Sequence, residues 1–262
     1  MVSELSPLER AKYAAARRAV DFVEDGMRLV LGTGSTAAMM LRCLGQRIRD
    51  EGLKVTGVPT STQTARLAAA EGIPLTTLGE VKWLDLTIDG ADEFDARLDL
   101  IKGGGGALLQ EKIVATASER MVVIADAAKE VVTLGAFPLP VEVIDFGWET
   151  TRALIEDTLS SLDVLGNGAR QRMEGGQPFR SDQGNLILDL DLRRIGNPRQ
   201  VSLVLNQIPG VVENGLFIDI CDRLVIGHGD GRFELRDAVD GKVEHGRVEL
   251  PEAANLFRDL AG

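Results

Sequence analysis

The sequence predicts an α/β fold in which a mainly parallel sheet is flanked by helices, with a second, smaller α+β domain. In the first half of the chain, short apolar segments typical of buried strands alternate with segments of helical periodicity. This order requires crossover connections, which are right-handed and produce parallel strands. Beyond residue 131 the pattern changes to proline-punctuated and alternating apolar stretches, which favour a small α+β unit within the 262 residues.

The first half contains the elements of the predicted parallel sheet. The predicted strands cover 27–32, 54–59, 83–90 and 120–126, and the predicted helices cover 8–25, 35–52, 62–72 and 107–118. A Rossmann-like sheet of this kind binds ligands beyond the carboxyl ends of its strands. We therefore expect the functional residues in the loops that follow Leu31, Ile88 and Leu100.

The second half predicts the smaller domain and the completion of the first sheet. The stretches "FPLPVEVIDFG" (137–147) and "NLILDLDL" (185–192) are typical of strands, whereas 148–162 and 197–210 are typical of helices. We predict a Rossmann-like catalytic domain formed by 1–131 and 209–262, and a ferredoxin-like α+β domain at 132–208. Two strands within "GLFIDICDRLVIGHGDG" (215–231) would rejoin the first sheet.

The composition argues against several classes of protein. A net charge of −11, without a basic run, disfavours nucleic acid and anionic membranes as partners. No apolar run is long enough for a transmembrane helix and no secretory signal is evident, so we expect a cytoplasmic location. Cys43 and Cys221 support neither a disulfide framework nor a zinc site, and should be core or boundary residues. His228 and His245 lack a neighbouring nucleophile motif, which leaves little support for a catalytic triad.

The stretch "LGTGSTAA" is the first candidate site. Gly32, Gly34 and Ala37 have the G-x-G-x-x-A spacing of a dinucleotide fingerprint, but the next strand ends without the carboxylate that would hold a ribose. The loop instead offers amides at a helix N-terminus, which favour a phosphate. It also carries three hydroxyl side chains: Thr33, Ser35 and Thr36. The alternative is a Ser/Thr helix cap over a tight turn.

The stretch "LTIDGADEFD" is the second candidate, because carboxylates follow a buried strand. Asp89 and Asp92 lie closest to the strand end, where they could perform acid–base work, hold sugar hydroxyls or ligate Mg²⁺. Glu93 and Asp95 are better explained as residues of a solvated turn. We therefore favour Asp89 and Asp92 for the site.

The stretch "IKGGGGALLQEKIVA" (101–115) contains four consecutive glycines, which would weaken any regular element. Their amides could hold an oxyanion, and Lys102 adds a positive charge. For a helix that begins near residue 107, periodicity predicts this buried stripe: Leu109, Ile113, Thr116 and Ala117. Glu111 lies almost opposite the stripe, so periodicity alone predicts that it is solvated.

Taken in order, several stretches resemble the type A ribose-5-phosphate isomerase family. The stretches are "GTGSTA" (32–37), "DGADE" (89–93), "KGGGGALLQEKI" (102–113), "ADAAK" (125–129), "PLPVEV" (138–143), "PFRSDQGNLILD" (178–189) and "IPGVVENGLF" (208–217). They cover most of the chain, and the ordered set is specific. The departures are few: Gly106 stands where alanine is usual, Gln110 where arginine is common, and Ala127-Ala128 where "ES" is frequent.

Carried over position by position, the resemblance implies the residues of the site. The catalytic residues would be Glu111, as the proton acceptor, together with Asp89 and Lys102. The substrate contacts would come from Thr33, Gly34, Ser35, Thr36, Asp89, Gly90, Ala91, Asp92, Lys102, Gly103, Gly104, Gly105 and Lys129, with Lys12 matching a lysine drawn toward the phosphate. For Glu111 this implication opposes the periodicity.

The resemblance also implies the reaction. The enzyme would interconvert D-ribose 5-phosphate and D-ribulose 5-phosphate through an enediolate, in the non-oxidative pentose phosphate pathway. A glutamate can move the proton from carbon 2 to carbon 1, while fixed donors stabilise the charge on the two oxygens. No metal and no organic cofactor is required, and the family implies a homodimer that acts on a small sugar phosphate.

Two other classes of function stay open at this point. CoA-transferases have a related sheet and can use a glutamate as a nucleophile, which a thioester trapped on Glu111 would reveal. A sugar-phosphate sensor, of the kind fused to transcriptional regulators, would not be an enzyme. The absence of a basic helix-turn-helix segment before residue 27 counts against the sensor.

Overall fold

The structure, a computed structural model, describes residues 5–251. Its helices are α1 (Pro7–Ala19), α2 (Ser35–Glu51), α3 (Thr62–Ala70), α4 (Leu78–Val81), α5 (Leu108–Thr116), α6 (Trp148–Leu159) and α7 (Pro198–Leu205). Its strands are β1 (Arg28–Leu31), β2 (Thr56–Pro59), β3 (Leu86–Gly90), β4 (Glu93–Phe94), β5 (Leu100–Ile101), β6 (Met121–Asp126), β7 (Leu139–Val143), β8 (Gly168–Gln171), β9 (Met173–Glu174), β10 (Gln177–Pro178), β11 (Leu186–Asp191), β12 (Val211–Asn214), β13 (Leu216–Phe217), β14 (Arg223–Gly227), β15 (Arg232–Asp237) and β16 (Val243–Arg247). Short 3₁₀ turns at Val20–Phe22 and Ala127–Lys129 follow α1 and β6.

The chain forms two compact units. Among the described residues, the first unit comprises 5–90, 117–128 and 221–251, and the second comprises 91–116 and 129–220. The sequence predicts boundaries at 131 and 209 instead, so the segment 91–116 lies in a different unit from the one expected. The division into separate folding domains stays a prediction. Within residues 5–251, no helix has the length and apolarity that crossing a membrane requires.

The first unit contains a seven-stranded sheet in the order β16-β15-β14-β6-β3-β1-β2. The strands from β14 to β2 are parallel, while β15 and β16 form an antiparallel edge. The central strands are buried along almost their whole length, as expected for a parallel sheet covered by helices. The prediction of a mainly parallel sheet is therefore confirmed, and the loops after Leu31 and Ile88 lie at the carboxyl ends of its strands. The predicted third loop does not, because Leu100 lies in β5, which is outside this sheet.

Helix α1 packs very closely on the sheet because its inner side carries alanines and β14 has a glycine at the contact. Its alanines at positions 14, 15, 16 and 19 are completely buried. On β14, a Cβ built on Gly227 would lie 1.9 Å from the carbonyl oxygen of Ala11, so only glycine fits there. Cys43 and Cys221 are buried as predicted, and burial raises the pKa of each thiol to about 12. Neither cysteine is therefore a nucleophile at neutral pH.

The second unit contains a four-stranded antiparallel sheet in the order β12-β7-β11-β8. Along the chain its elements run β7-α6-β8-β11-α7-β12, which is the β-α-β-β-α-β pattern of a ferredoxin-like unit. Aliphatic side chains from the strands, such as Leu139 and Leu188, form one core with Ile155 and Val201 of the helices. The predicted α+β unit is therefore confirmed, although the sequence analysis did not identify β8 or the hairpin β9–β10.

A short three-stranded sheet, in the order β13-β5-β4, lies beside it in the second unit. Residues Leu216–Phe217 pair with β5, so the prediction that two strands of 215–231 rejoin the first sheet is only half right. The strand that does rejoin that sheet is β14, beside β6. Strands of two residues leave too little alternation for sequence periodicity to assign their partner.

Candidate active site

In the first unit, the loop after β1 is shaped around the carboxylate of Asp89. A Cβ at Gly32 would lie 2.1 Å from Asp89 Oδ1, so the glycine lets the aspartate approach the loop. The amides of Thr33 and Gly90 donate to Asp89 Oδ1 at 3.1 Å and 2.7 Å. Asp89 is buried at the carboxyl end of β3. The two predicted loops after Leu31 and Ile88 therefore meet at this residue.

The hydroxyl of Thr33 is engaged within the first unit. It lies 2.8 Å from Thr60 Oγ1, 3.0 Å from Ser61 Oγ and 3.1 Å from Thr64 Oγ1. Ser61 is also the N-cap of α3, and its hydroxyl accepts the amide of Thr64. This cluster connects the loop to the start of α3, so the Thr33 side chain stabilises the conformation of the loop.

Helix α2 begins directly after this loop and lacks a side-chain cap. Gly34 is the N-cap with φ of +104°, a backbone region that favours glycine. Lys12 of α1 donates to Ser35 Oγ at 2.8 Å. Ser35 is exposed, Thr36 is half-buried, and the helix behind them is 17 residues long. Uncapped amides, a helix dipole, hydroxyls and an ammonium together suit a phosphate group.

In the second unit, the glycine run 103–106 has a structural reason at several positions. Gly103 and Gly106 have φ of +104° and +80°. A Cβ at Gly104 would lie 2.7 Å from Asp92 Oδ1, and one at Gly106 would lie 2.4 Å from the ring of Phe179. The Gly104 amide donates to Asp92 Oδ2 at 2.7 Å. The predicted site residue Asp92 therefore binds the loop directly.

The loop lies between Lys102 and Glu111, which form a buried ion pair. Their charged atoms Nζ and Oε2 are 3.2 Å apart, and the two side chains are only 3% and 5% exposed. Lys102 Nζ also lies 5.4 Å from the centre of the Phe217 ring. Burial of two charges costs more than their attraction usually returns, so such a pair is weak support for stability and points to chemistry instead.

The burial of Glu111 shows that the periodicity prediction was wrong. The inner side of α5 consists of Leu108, Glu111, Val114 and Ala115, whereas Ile113 of the predicted stripe is 49% exposed. Apolar residues lie all around this short helix, so their spacing does not determine which side is inside. The nearby Lys102 ammonium compensates the buried negative charge of Glu111, which periodicity alone would place in water.

Glu93 and Asp95 also differ from expectation, because neither lies in a solvated turn. Both are buried, and Glu93 accepts hydrogen bonds from the amides of Gly135 and Phe137. Asp95 accepts the amide of Asp99 at 3.1 Å. Burial, followed by the nearby Asp95 carboxylate, raises the pKa of Asp99. These carboxylates hold loops of the second unit, Glu93 through partners distant in sequence and Asp95 through residues only two to four positions away.

Lys112, next to Glu111, is a half-buried residue that no local sequence pattern singles out. It donates to Glu213 Oε1 at 2.9 Å and to the Asn214 carbonyl at 2.6 Å, and its Nζ lies 4.9 Å from the Phe217 ring centre. Burial lowers the pKa of Lys112. Burial alone would raise the pKa of Glu213, but the Lys112 ammonium and hydrogen bonds hold it below its usual value. Since 101 positions separate the pair, no local pattern could have predicted it.

The remaining predicted residues occupy less constrained positions. Gly90 ends β3, and Ala91 follows it at the start of the second unit. Gly105 is exposed in the glycine run. Lys129 ends a 3₁₀ turn, with Nζ 6.0 Å from the centre of the Phe137 ring. Among residues 5–251, no three His, Cys, Asp or Glu side chains are grouped as a metal site would need.

The fold and these two loops define an α/β enzyme with a buried lysine–glutamate pair and a helix end suited to a phosphate. Residues 56–231 match the family model described as ribose 5-phosphate isomerase A (phosphoriboisomerase A). The ribose-5-phosphate isomerase A of Ruegeria pomeroyi is 69% identical over 261 residues, covering the whole of both chains. The chain belongs to the ribose 5-phosphate isomerase A family, whose members interconvert ribose 5-phosphate and ribulose 5-phosphate.

Solved structures agree with this assignment. The ribose 5-phosphate isomerase A of Methanocaldococcus jannaschii is 38% identical, with a TM-score of 0.77 over 90% of this chain and 98% of that one. A D-ribose-5-phosphate isomerase in complex with phospho-erythronic acid is 37% identical, with a TM-score of 0.79 over 93% of this chain and all of the other. The predicted recognition, fold class and enzyme class are therefore confirmed.

Proposed function

We propose that this chain interconverts D-ribose 5-phosphate and D-ribulose 5-phosphate with Glu111 as the group that transfers the proton. The observation that carries the proposal is the buried pair of Lys102 and Glu111 at the two ends of a glycine loop. A carboxylate held beside a lysine side chain can act as a general base.

The proposed reaction moves two protons on the open-chain sugar, one between carbons and one between oxygens. The Glu111 carboxylate takes the proton from carbon 2 of the aldose, and the electron pair moves to form the enediolate, with negative charge on the oxygen of carbon 1. The hydroxyl proton then moves from the oxygen of carbon 2 to the oxygen of carbon 1, and the same carboxyl group returns its proton to carbon 1, which gives the ketose. Lys102 and the amides of the glycine loop stabilise the negative charge that develops on the oxygens of carbons 1 and 2.

The phosphate is assigned to the N-terminus of α2. Ser35, Thr36 and the first-turn amides donate to its oxygens, and Lys12 adds a positive charge where it already contacts Ser35 at 2.8 Å. Further substrate contacts are assigned to the rest of the predicted set: Thr33, Gly34, Asp89, Gly90, Ala91, Asp92, Gly103, Gly104, Gly105 and Lys129. Asp89 and Asp92 are assigned to the sugar hydroxyls.

Phospho-erythronic acid, which one relative binds, offers a probe for this assignment. It combines a phosphate with a carboxylate, and the planar carboxylate resembles the two oxygens of an enediolate. We expect it to bind this chain more tightly than a phosphorylated alcohol of the same length, because only the acid engages Lys102 and the loop amides. Equal affinity of the two compounds would argue against the enediolate-stabilising role of these groups.

The test of the proposal follows the proton as well as the product. Ribose 5-phosphate is incubated with the protein in D₂O, and carbons 1 and 2 are observed by NMR. We expect ribulose 5-phosphate and deuterium incorporation by the wild type, and neither by Glu111→Gln. Conversion that requires CoA, or a thioester trapped on Glu111, would assign the chain to CoA transfer instead.

A homodimer in the cytoplasm is proposed on family resemblance. Highly exposed apolar side chains, including Val132 at 98% and Phe146 at 90%, are consistent with a further protein surface being covered. Light scattering should give twice the 28.2 kDa of the chain. A monomer at the assay concentration would refute the dimer without affecting the proposed reaction.

A further inference from the structure

Arg172 of the second unit contacts the backbone of the glycine loop. It lies between β8 and β9, and its Nη1 donates to the carbonyl oxygens of Gly103 at 2.9 Å and Gly104 at 3.0 Å. The rest of the guanidinium is held by Asp189 of β11, through Nε at 2.9 Å and Nη2 at 2.5 Å. One rigid group thus connects a strand of the sheet to two successive peptide groups of the loop.

The Arg172 guanidinium also packs against an aromatic ring. Its carbon Cζ lies 5.6 Å from the centre of the Phe179 ring, and this ring occupies the space that a side chain at Gly106 would need. Only 14% of the Arg172 side chain is exposed. Arginine suits such a place because its planar fork can donate in two directions at once, which an ammonium cannot do.

These contacts determine where the loop amides point. In a trans peptide, the carbonyl of one residue and the amide of the next point in opposite directions, and the described chain has no cis peptide. When Arg172 holds the carbonyls of Gly103 and Gly104, it therefore also orients the amides of Gly104 and Gly105. The first of these donates to Asp92.

The amide of Gly105 has a different environment from that of Gly104. Gly105 is exposed, and within residues 5–251 its amide donates no hydrogen bond. The amide points away from the guanidinium, in a loop whose ends carry Lys102 and Glu111. A run of glycines is unusually free to rotate its peptide groups, so a fixed direction for this donor needs an external constraint. Arg172 supplies that constraint.

We propose that Arg172 is a positioning residue for the isomerisation, which holds the Gly105 amide in the direction of the enediolate oxygen. The inference rests on the proposed function, since it assumes that the glycine loop stabilises the enediolate. Arg172 itself does not touch the substrate. Asp189 and Phe179 support it by fixing the guanidinium in turn.

The test compares Arg172→Lys with a control that changes the same kind of contact elsewhere. Arg180 also donates to a glycine carbonyl and to an aspartate, Gly184 O at 2.8 Å and Asp145 Oδ2 at 3.0 Å, but it does not contact the glycine loop. Loss of one oxyanion donor costs about 10²–10³-fold in kcat. We expect the kcat of Arg172→Lys to fall by about 10- to 10³-fold, while its KM for ribose 5-phosphate changes much less. Arg180→Lys should have wild-type kinetics.

Two inhibitors separate positioning from general damage to the fold. The affinity of Arg172→Lys for phospho-erythronic acid should fall by about the same factor as kcat, because its carboxylate needs the loop donors. The affinity for inorganic phosphate, which probes only the phosphate site, should stay at the wild-type value. Equal losses for both probes, or wild-type kcat in Arg172→Lys, would overturn the inference.

A second variant protects the test against a failure to fold. Arg172→Ala leaves a space for a free guanidinium ion, which at millimolar, non-denaturing concentrations should restore part of the kcat. The same ion should not restore Glu111→Gln, because that variant lacks the base. No recovery in a folded Arg172→Ala protein would count against positioning. If Glu111→Gln were itself active, the proposed function would fail while the contacts of Arg172 stayed as described.

Discussion

The two glycine-containing loops of this protein differ at the glycines nearest their proposed ligands. In the loop before α2, nothing lies within 4 Å of a Cβ built on Gly34, so only its positive φ favours glycine there. In the glycine run, Cβ atoms at Gly104 and Gly106 would meet Asp92 and Phe179 within 2.7 Å and 2.4 Å. The first loop is therefore open at Gly34, although it packs against Asp89 at Gly32, whereas the glycine run packs against side chains at two of its positions.

This difference suits the first loop to binding of the phosphate and the second to stabilisation of the enediolate. A phosphate is a large, symmetric anion, and an open helix end with hydroxyls and a lysine can hold it in more than one way. An enediolate exists only in passing, and its stabilisation requires donors that are already in place. Changes to the first loop should therefore alter mainly the affinity, and changes to the second mainly the rate of the chemical step.

The largest effect is expected from Glu111→Gln. The amide keeps the size of the side chain but cannot accept a proton, and general-base catalysis is typically worth about 10²–10⁴-fold. We expect kcat to fall by at least this factor, with loss of carbon-2 proton exchange in D₂O and little change in KM. The measurement is steady-state kinetics combined with NMR.

Glu149→Gln provides the matched control, because Glu149 also lies in the first turn of a helix, α6, but is exposed. It should have wild-type kinetics, as surface substitutions usually do. Near wild-type turnover in a folded Glu111→Gln protein would remove the base from the mechanism.

The next largest effect is expected from Gly104→Ala. The added methyl group cannot share the space of the Asp92 carboxylate, so the hydrogen bond from the Gly104 amide to Asp92 should be lost and the loop displaced. Loss of oriented donors predicts a fall in kcat of roughly 10- to 10³-fold. Gly79→Ala is the control, since its nearest neighbour would be Thr77 Oγ1 at 3.9 Å. If Gly104→Ala raised only KM, the two loops would not differ in the way described.

A smaller effect, on binding, is expected from Thr36→Val. This change removes a hydroxyl from the first turn of α2 and keeps the shape of the side chain. Loss of one hydrogen bond to a charged group costs about 1.5–3 kcal/mol, which is roughly 10- to 100-fold in affinity. We expect KM to rise more than kcat falls. Thr150→Val, in the exposed first turn of α6, should leave both constants unchanged, and an unchanged KM for Thr36→Val would move the phosphate elsewhere.

No effect is expected from removal of metal ions. Asp89 Oδ1 already accepts two amides and Asp92 Oδ2 accepts one, so these carboxylates organise the backbone of the two loops. Exhaustive dialysis against EDTA should leave the rate unchanged. A loss of activity restored by Mg²⁺ would reassign both aspartates as ligands.

The sequence predicts the parallel sheet well because its strands are continuous apolar runs between glycines and helices. It also predicts that Asp89 lies at the end of a buried strand, and that Asp92 and Lys102 lie in loops. The inner side of α5 could not be predicted from spacing, because apolar residues surround that helix and the position of Lys102 decides which side is buried. For Glu111, the family resemblance implied a place in the site, whereas periodicity predicted a solvated side chain.

Other features depend on long-range pairing that no local pattern encodes. Arg172 and Lys112 find their partners 69 and 101 positions away, and Glu93 meets Phe137 across 44. The two-residue strands β4, β5 and β13 are too short to show alternation. In each case the partner is chosen by tertiary packing, which local sequence signals do not contain.

The order of strands in the first unit has a consequence for biosynthesis. Strand β14 pairs with β6, yet residues 129–220, which form most of the second unit, lie between them in the chain. A ribosome must therefore synthesise the ferredoxin-like part before the sheet of the first unit can close. Until residues 223–227 emerge, β6 exposes an unpaired edge, and such edges favour aggregation. Translation that stops shortly before residue 223 should accordingly yield an aggregation-prone chain, whereas in the folded protein β14 covers that edge.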